Sequence, residues 1–200
     1  MTFLADLLLP LRPLAWSTLL YKYPRNLLAI LQDILTYRVE IGTLLPMLSS
    51  VCKNHLSLCN NEDLIFKKIV TNLTLGRIQA TDSAVTLPLG LVPKVDSGFR
   101  RIYDLSLPKG FLVNNSIDLA WATLHYTQVE TILAHVIIAS RGCYLVKQDI
   151  RDAFQIMPVL VQLRYLLGFI WKGVIYVKYY LLFGLRTALF LFNLFAKGLY

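Results

Sequence analysis

Two hundred residues hold one large domain or two small ones, with enough chain to bury a real core. Hydrophobic residues make up 56%, charged residues 16%, and mean hydropathy is +0.55. Even so, the longest run without a charge, Ile41 to Cys52, is twelve residues, against the roughly twenty that a spanning helix needs, so no transmembrane helix is predicted. The net charge of +8 suits nucleic acid or an anionic membrane surface as partner.

In chain order, the N-terminus from Met1 to Asp6 lacks the basic start of a secretory signal. The sequons at Asn72 and Asn114 therefore have no export route behind them, and an intracellular setting is expected. The first 86 residues read as helical. Leu27, Leu28, Leu31, Ile34 and Leu35 follow helix spacing. A second helix has Asn60 and Asn61 as caps, Glu62 and Asp63 in its first turn, and Gly76 as its stop. Its expected apolar face is Leu64, Ile65, Ile69, Val70 and Leu73. Between the two lies Cys52-x-x-His55-x-x-x-Cys59, which is half of a zinc pattern with no second pair to complete it. Three cysteines in all (Cys52, Cys59, Cys143) fit a reducing compartment and ordinary buried thiols.

The texture changes at Leu87. Two short apolar runs flank Asp96-Ser97-Gly98, predicting a hairpin with a basic second strand. Tyr126, Val129, Ile132, Leu133, Val136 and Ile137 mark an amphipathic helix, ended by Arg141-Gly142. A strand from Cys143 to Lys147 should then lead into Asp149. Two further strands, Tyr165 to Trp171 and Val174 to Tyr180, are joined through Lys172-Gly173, and an all-round apolar helix from Leu185 to Leu199 should be buried. Helices and hairpins without regular βα alternation predict an α+β architecture. After Asp152 no acid follows, while Arg164, Lys172, Lys178, Arg186 and Lys197 do.

An acid leaving an apolar strand, then a turn and Ala153-Phe154, fits a metal-assisted phosphoryl-transfer site: the strand fixes the carboxylate and the turn exposes N–H groups for phosphate. Taken alone, the acid reads more readily as a structural cap bonding nearby backbone than as a metal ligand. Three motifs in order supply context: "SGFRRIYDLSLPKGFLVNNSID", "GCYLVKQDIRDAFQIMPV" and "YLLGFIWKGVIYVKYYLLFGLRTALFLFNLFAKGL". Together they resemble the reverse transcriptases of retroelements, especially fungal long-terminal-repeat-like and tyrosine-recombinase retrotransposons. The resemblance covers Leu87 to Tyr200 and extends upstream through Gly76-Arg77-Ile78.

The resemblance implies a right-hand polymerase: a helical N-terminal region at 1–86, fingers at 87–142, and an incomplete ferredoxin-like palm at 143–200. It implies Asp149 as the first catalytic aspartate, holding Mg²⁺ with the Ile150 carbonyl beside it. Asp152 and Ala153 form the turn that receives the incoming triphosphate. Phe154 is the aromatic gate against a ribose 2′-OH. Lys94 and Arg100 are the basic residues on the triphosphate. Phe183-Gly184 is the loop before the helix that supports template and primer. The implied partners are an RNA/DNA primer–template and deoxynucleoside triphosphates. Read without the resemblance, Arg100 and Arg101 are a solvated strand face, Gly184 a plain turn and Phe154 core.

Departures from the family pattern are specific. Leu182 stands where the family has Pro, Leu189 replaces another Pro, and no Gly-Pro-Phe follows Gly76. The second acidic motif, aromatic-x-Asp-Asp, is missing, and the chain contains no Asp-Asp dipeptide. The expected protein is thus a truncated or decayed polymerase, inactive by itself and prone to self-association through an exposed palm edge. The other expectations are a non-catalytic nucleic-acid-binding or interaction protein on the same half-domain, or a peripheral membrane protein using its greasy basic tail.

Overall fold

The computed structural model describes residues 25–43, 51–95, 98–107, 113–124, 126–140, 142–145, 150 and 152–197. Helix α1 (Arg25–Tyr37) forms where the first apolar spacing predicted it and buries Leu31 and Ile34. Helix α2 (Glu62–Thr74) carries Glu62 and Asp63 in its first turn, where the positive end of the helix dipole favours them. It buries Ile65, Ile69 and Asn72, the i, i+4, i+7 stripe of one helix face. Val70 and Leu73, expected on that face, are exposed. Asn61 does not cap the helix through its side chain; its Nδ2 donates to the Ser57 carbonyl at 3.3 Å instead. Gly76, at φ +61°, ends the helix as its sequence position suggested.

The chain then enters β1 (Ile78–Thr81), and later the hairpin β2 (Leu89–Pro93) and β3 (Phe99–Tyr103). The hairpin is antiparallel, from Leu89 opposite Tyr103 to Pro93 opposite Phe99, and Lys94 N–H donates to the Gly98 carbonyl at 2.7 Å where the strands close. Strands β4 (Gly168–Trp171) and β5 (Val174–Lys178) form a second hairpin. Its connection is Lys172-Gly173 with φ of +48° and +80°, the left-handed pair that matches strand twist in a two-residue turn. Strand β1 adds to the other side of β5, giving a three-stranded antiparallel sheet of order β1-β5-β4, with Ile78 opposite Lys178.

The two sheets are stitched by the segment read as half a zinc pattern. Asn54 Oδ1 accepts from Leu89 N–H at 2.9 Å while its Nδ2 donates to the Ile170 carbonyl at 2.8 Å. His55 N–H donates to the Leu89 carbonyl at 2.8 Å, and Leu91 N–H donates to Ser57 Oγ at 3.0 Å. His55 Nε2 lies 3.1 Å from Asp104 Oδ2, and Cys59 is exposed. These bonds satisfy the outer edge of β2, whose N–H and C=O groups would otherwise be left open.

Two apolar clusters result. One joins Ile65 and Ile69 of α2 to Ile78, Leu89, Leu91, Phe169 and Trp171 across the sheets. The larger joins α1, the 85–87 segment, Met157, Val159, Leu166, Leu181 and the final helix α4 (Ala188–Lys197). Helix α3 (Val129–Ile138) forms where amphipathic spacing predicted it, yet it has no buried residue. Residues 165–167 are the end of a 3₁₀ turn (Val161–Leu167) rather than the start of β4, and 143–145 are not a strand. The rest of that expected strand, with Asp149, lies outside the described residues. The final helix starts at Ala188 and leaves Leu189 exposed. Tight packing sets the approach of the 85–87 segment to β4. Thr86 bridges Gly168, and a Cβ at Gly168 would sit 2.7 Å from both the Ala84 Cβ and the Val85 carbonyl oxygen.

Candidate anion-binding site

Between α2, the β2–β3 hairpin, the end of β5 and the turn at Asp152 lies an open cavity of about 470 Å³. The turn at Asp152 forms one wall of it. Asp152 takes φ +55°, a left-handed conformation that Asp tolerates better than most residues. It leads into a short 3₁₀ turn (Ala153–Ile156), with Gln155 N–H donating to the Asp152 carbonyl at 2.7 Å. Arg77, just ahead of β1, locks this turn from across the fold. Its Nη1 donates to Asp152 Oδ2 at 3.2 Å and to Gln155 Oε1 at 3.0 Å.

Phe154 stands on the next wall. Its ring packs against Phe183 at 5.9 Å and Phe192 at 5.7 Å between centroids. Two of its expected identities therefore coexist: it lines the cavity and it packs against the larger core. Phe183 is 63% exposed, with the Arg100 guanidinium over its ring at 5.9 Å. The following Gly184 takes φ +95° and lies beside the cavity lining. Asn114 clamps this loop: its Nδ2 donates to the Gly184 carbonyl at 3.0 Å and its Oδ1 accepts from Arg186 N–H at 2.8 Å.

The structure thus brings Lys94, Arg100, Asp152, Ala153, Phe154 and Phe183 to one cavity from three separated stretches of sequence. It does not bring Ile150 to the lining, and Asp149 falls outside the described residues. Four cations that motif reasoning left unassigned join them: Lys68, Arg77, Arg101 and Lys178. Among the described lining residues, six cations face a single carboxylate, Asp152, which Arg77 already occupies. Lys178 was legible as an oddity, a lone cation inside the apolar run "VIYVKYYLL". Arg101 was legible on the basic strand after the hairpin turn and Arg77 at the upstream reach of the resemblance, neither with an assigned role in this cavity.

The electrostatics follow from this crowding. Burial pushes the Lys178 ammonium down from 10.5 to about 7, Arg101 and Arg77 push it further in the same direction, and Asp152 offsets part of the effect. Burial also lowers Lys68, with Arg101 and Lys94 adding to it. Burial raises the Tyr103 phenol. A site of this kind favours an anion and opposes a free cation.

Among its described residues the cavity lining suits a magnesium ion poorly on the same ground. Mg²⁺ is held by carboxylates and by substrate phosphate oxygens. Among the described residues no cluster of three His, Cys, Asp or Glu side chains could hold a metal, and the cavity's carboxylate is already ion-paired.

No protein-family model matches the sequence, and no curated protein does. Solved structures do match. The foamy viral protease–reverse transcriptase in complex with double-stranded DNA aligns over 92% of this chain and 34% of its own, with a TM-score of 0.58 at 19% identity. A second structure of that enzyme with double-stranded DNA aligns over 94% and 42%, with a TM-score of 0.58 at 18% identity. Its complex with an RNA/DNA hybrid aligns over 92% and 26%, with a TM-score of 0.57 at 18% identity. The fold is reverse-transcriptase-like. At this identity the likeness concerns the fold alone, and the chain spans well under half the length of these reverse transcriptases. The reverse-transcriptase-like fold agrees with the mixed helix-and-sheet architecture expected from sequence. Among the described residues no helix is long and apolar enough to cross a membrane.

Proposed function

We propose that the chain is the nucleotide-gripping part of an RNA-directed DNA polymerase of retroelement type. In this reading residues 87–142 serve as fingers, 143–200 as the first part of a palm, and 1–86 pack against the fingers. The observation that carries it is the convergence of Lys94, Arg100, Asp152, Ala153, Phe154 and Phe183 on one cationic cavity. The fungal retrotransposon subtype rests on motif order, since the matching structures are foamy viral.

The chemistry is that of holding a triphosphate. Arg100 and Lys94 supply cationic donors, and charge-assisted bonds to phosphate are the stronger kind. The left-handed Asp152 turns the backbone so that the N–H groups after it can meet phosphate oxygens. Phe154, held by Phe183 and Phe192, is a rigid wall suited to rejecting a ribose 2′-OH. The exposed Phe183 and the Asn114-clamped Gly184 would meet the template–primer. The foamy viral enzymes bind double-stranded DNA and an RNA/DNA hybrid, which supports a nucleic-acid partner here.

The chain carries no aromatic-x-Asp-Asp motif, so it binds nucleotide without polymerising unless another polypeptide segment completes the acidic set. The second reading, a non-catalytic nucleic-acid-binding remnant, rests on that same missing motif. Titration with a fluorescent deoxynucleoside triphosphate tests the proposal. Arg100→Ala should weaken binding on the order of tenfold, the worth of a charged hydrogen bond. Binding that is absent at low salt, or indifferent to Arg100, rejects it. Primer extension by the chain alone, lost in Asp149→Asn, would instead overturn the inactive reading.

A further inference from the structure

Lys178 sits on the central strand of the three-stranded sheet, 2% exposed, at the inner end of the cavity. Its Nζ lies 5.5 Å from the centroid of the Tyr103 ring, and the Arg101 guanidinium carbon lies 5.2 Å from the same centroid. Two cations therefore share one aromatic ring. Among the described residues no carboxylate forms an ion pair with Lys178, and Asp152 is held by Arg77. Arg101 Nη1 and the Tyr103 hydroxyl are buried with no hydrogen-bond partner among the described residues. Crowded cations beside unsatisfied buried donors are costly when empty. One ligand class relieves every part of that cost: a compact polyanion that accepts hydrogen bonds from all of them.

We infer that Lys178, Arg101, Arg77 and Tyr103 form an inner oligophosphate subsite, separate from the outer Lys94–Arg100 rim. The subsite takes a pyrophosphate or tripolyphosphate group, free or as the tail of a nucleotide. It deepens the nucleotide reading but does not depend on it, since free oligophosphate is sufficient ligand. The groups facing Lys178 set its response to pH. Burial disfavours its ammonium first, Arg101 and Arg77 oppose it by like charge, Asp152 offsets part of this, and the Tyr103 ring faces it at 5.5 Å. Lowering pH through about 7 restores the charge on Lys178. A bound anion favours that charged form, so binding should tighten as pH falls.

The experiment titrates the full chain with inorganic tripolyphosphate and, separately, with a deoxynucleoside triphosphate, near neutral-acid and mildly alkaline pH. Lys178→Met, which fills the same volume without charge, is run in parallel, so that titration of the ligand itself cancels. Wild type should bind tripolyphosphate on the order of tenfold more tightly than Lys178→Met at about pH 6, and the difference should close by about pH 8.5. Lys178→Arg, which keeps its charge at both pH values, should bind with little dependence on pH. Equal binding by wild type and Lys178→Met at both pH values overturns the subsite. If the Met variant does not fold, a wild-type pH profile in Lys178→Arg overturns it instead. Nucleotide binding that needs Arg100 but ignores Lys178 rejects the inner subsite and leaves the proposed function standing. Lys178-dependent tripolyphosphate binding without any nucleotide binding does the reverse.

Discussion

Replacing Lys178 by Met should stabilise the protein, and by more at low pH than at high pH. In the folded chain the ammonium is pushed down to about 7, chiefly by burial, whereas an exposed lysine in the unfolded chain keeps its ordinary value near 10.5. Between those values the unfolded chain holds a proton that the folded chain has released. Wild-type stability therefore rises with pH across that window, and the full penalty applies below about 7. At roughly 1.4 kcal/mol per pH unit, the gap caps the penalty at about 5 kcal/mol. Relaxation and water entry around a buried charge bring the expected figure nearer to 2–3 kcal/mol. For a chain of this size that corresponds to a Tm rise of roughly 5–10 °C at about pH 6.5. Urea unfolding of both proteins at about pH 6.5, 8 and 9.5 measures it, with the slope against urea checked for constancy. A Met variant less stable than wild type, or a gain that does not shrink with rising pH, would refute the assignment of Lys178 as an unpaired buried cation.

Gly168→Ala should cost about 2–3 kcal/mol, because its Cβ would meet the Val85 carbonyl oxygen at 2.7 Å and backbone cannot move aside cheaply; chemical denaturation reads it. Binding to an RNA/DNA primer–template should be independent of sequence and fall roughly 40-fold between about 50 and 200 mM salt if about three phosphates are neutralised; a flat salt response measured by anisotropy contradicts a cationic docking surface. The chain should self-associate, since Ile137 is 79% and Ile138 80% exposed beside Ile132 and Leu133 on α3. Ile137→Glu with Ile132→Glu should shift its sedimentation toward monomer, and an unchanged profile places the contact elsewhere.

What the sequence determined is local. Helix spacing gave α1, α2 and α3, the left-handed Lys172-Gly173 pair gave the β4–β5 turn, and three motifs in order gave a reverse-transcriptase-like fold with part of its cavity wall. Periodicity reports which face of an element is apolar, but not what covers it. That is why most of the apolar residues that marked α3 as amphipathic stand exposed, and why Val70 and Leu73 do likewise on the expected apolar face of α2. Tertiary structure alone decided the partners. Strand β1 joins β5 a hundred residues on, Arg77 reaches Asp152 and Gln155 across the fold, and Asn54 ties one sheet to the other. Such pairings depend on closing long loops, whose cost and register no short window of sequence records. Lys178 shows the difference most plainly. Its charge was written in the chain, but its burial against Arg101 and Tyr103 was set by the packing of β5 between its neighbours.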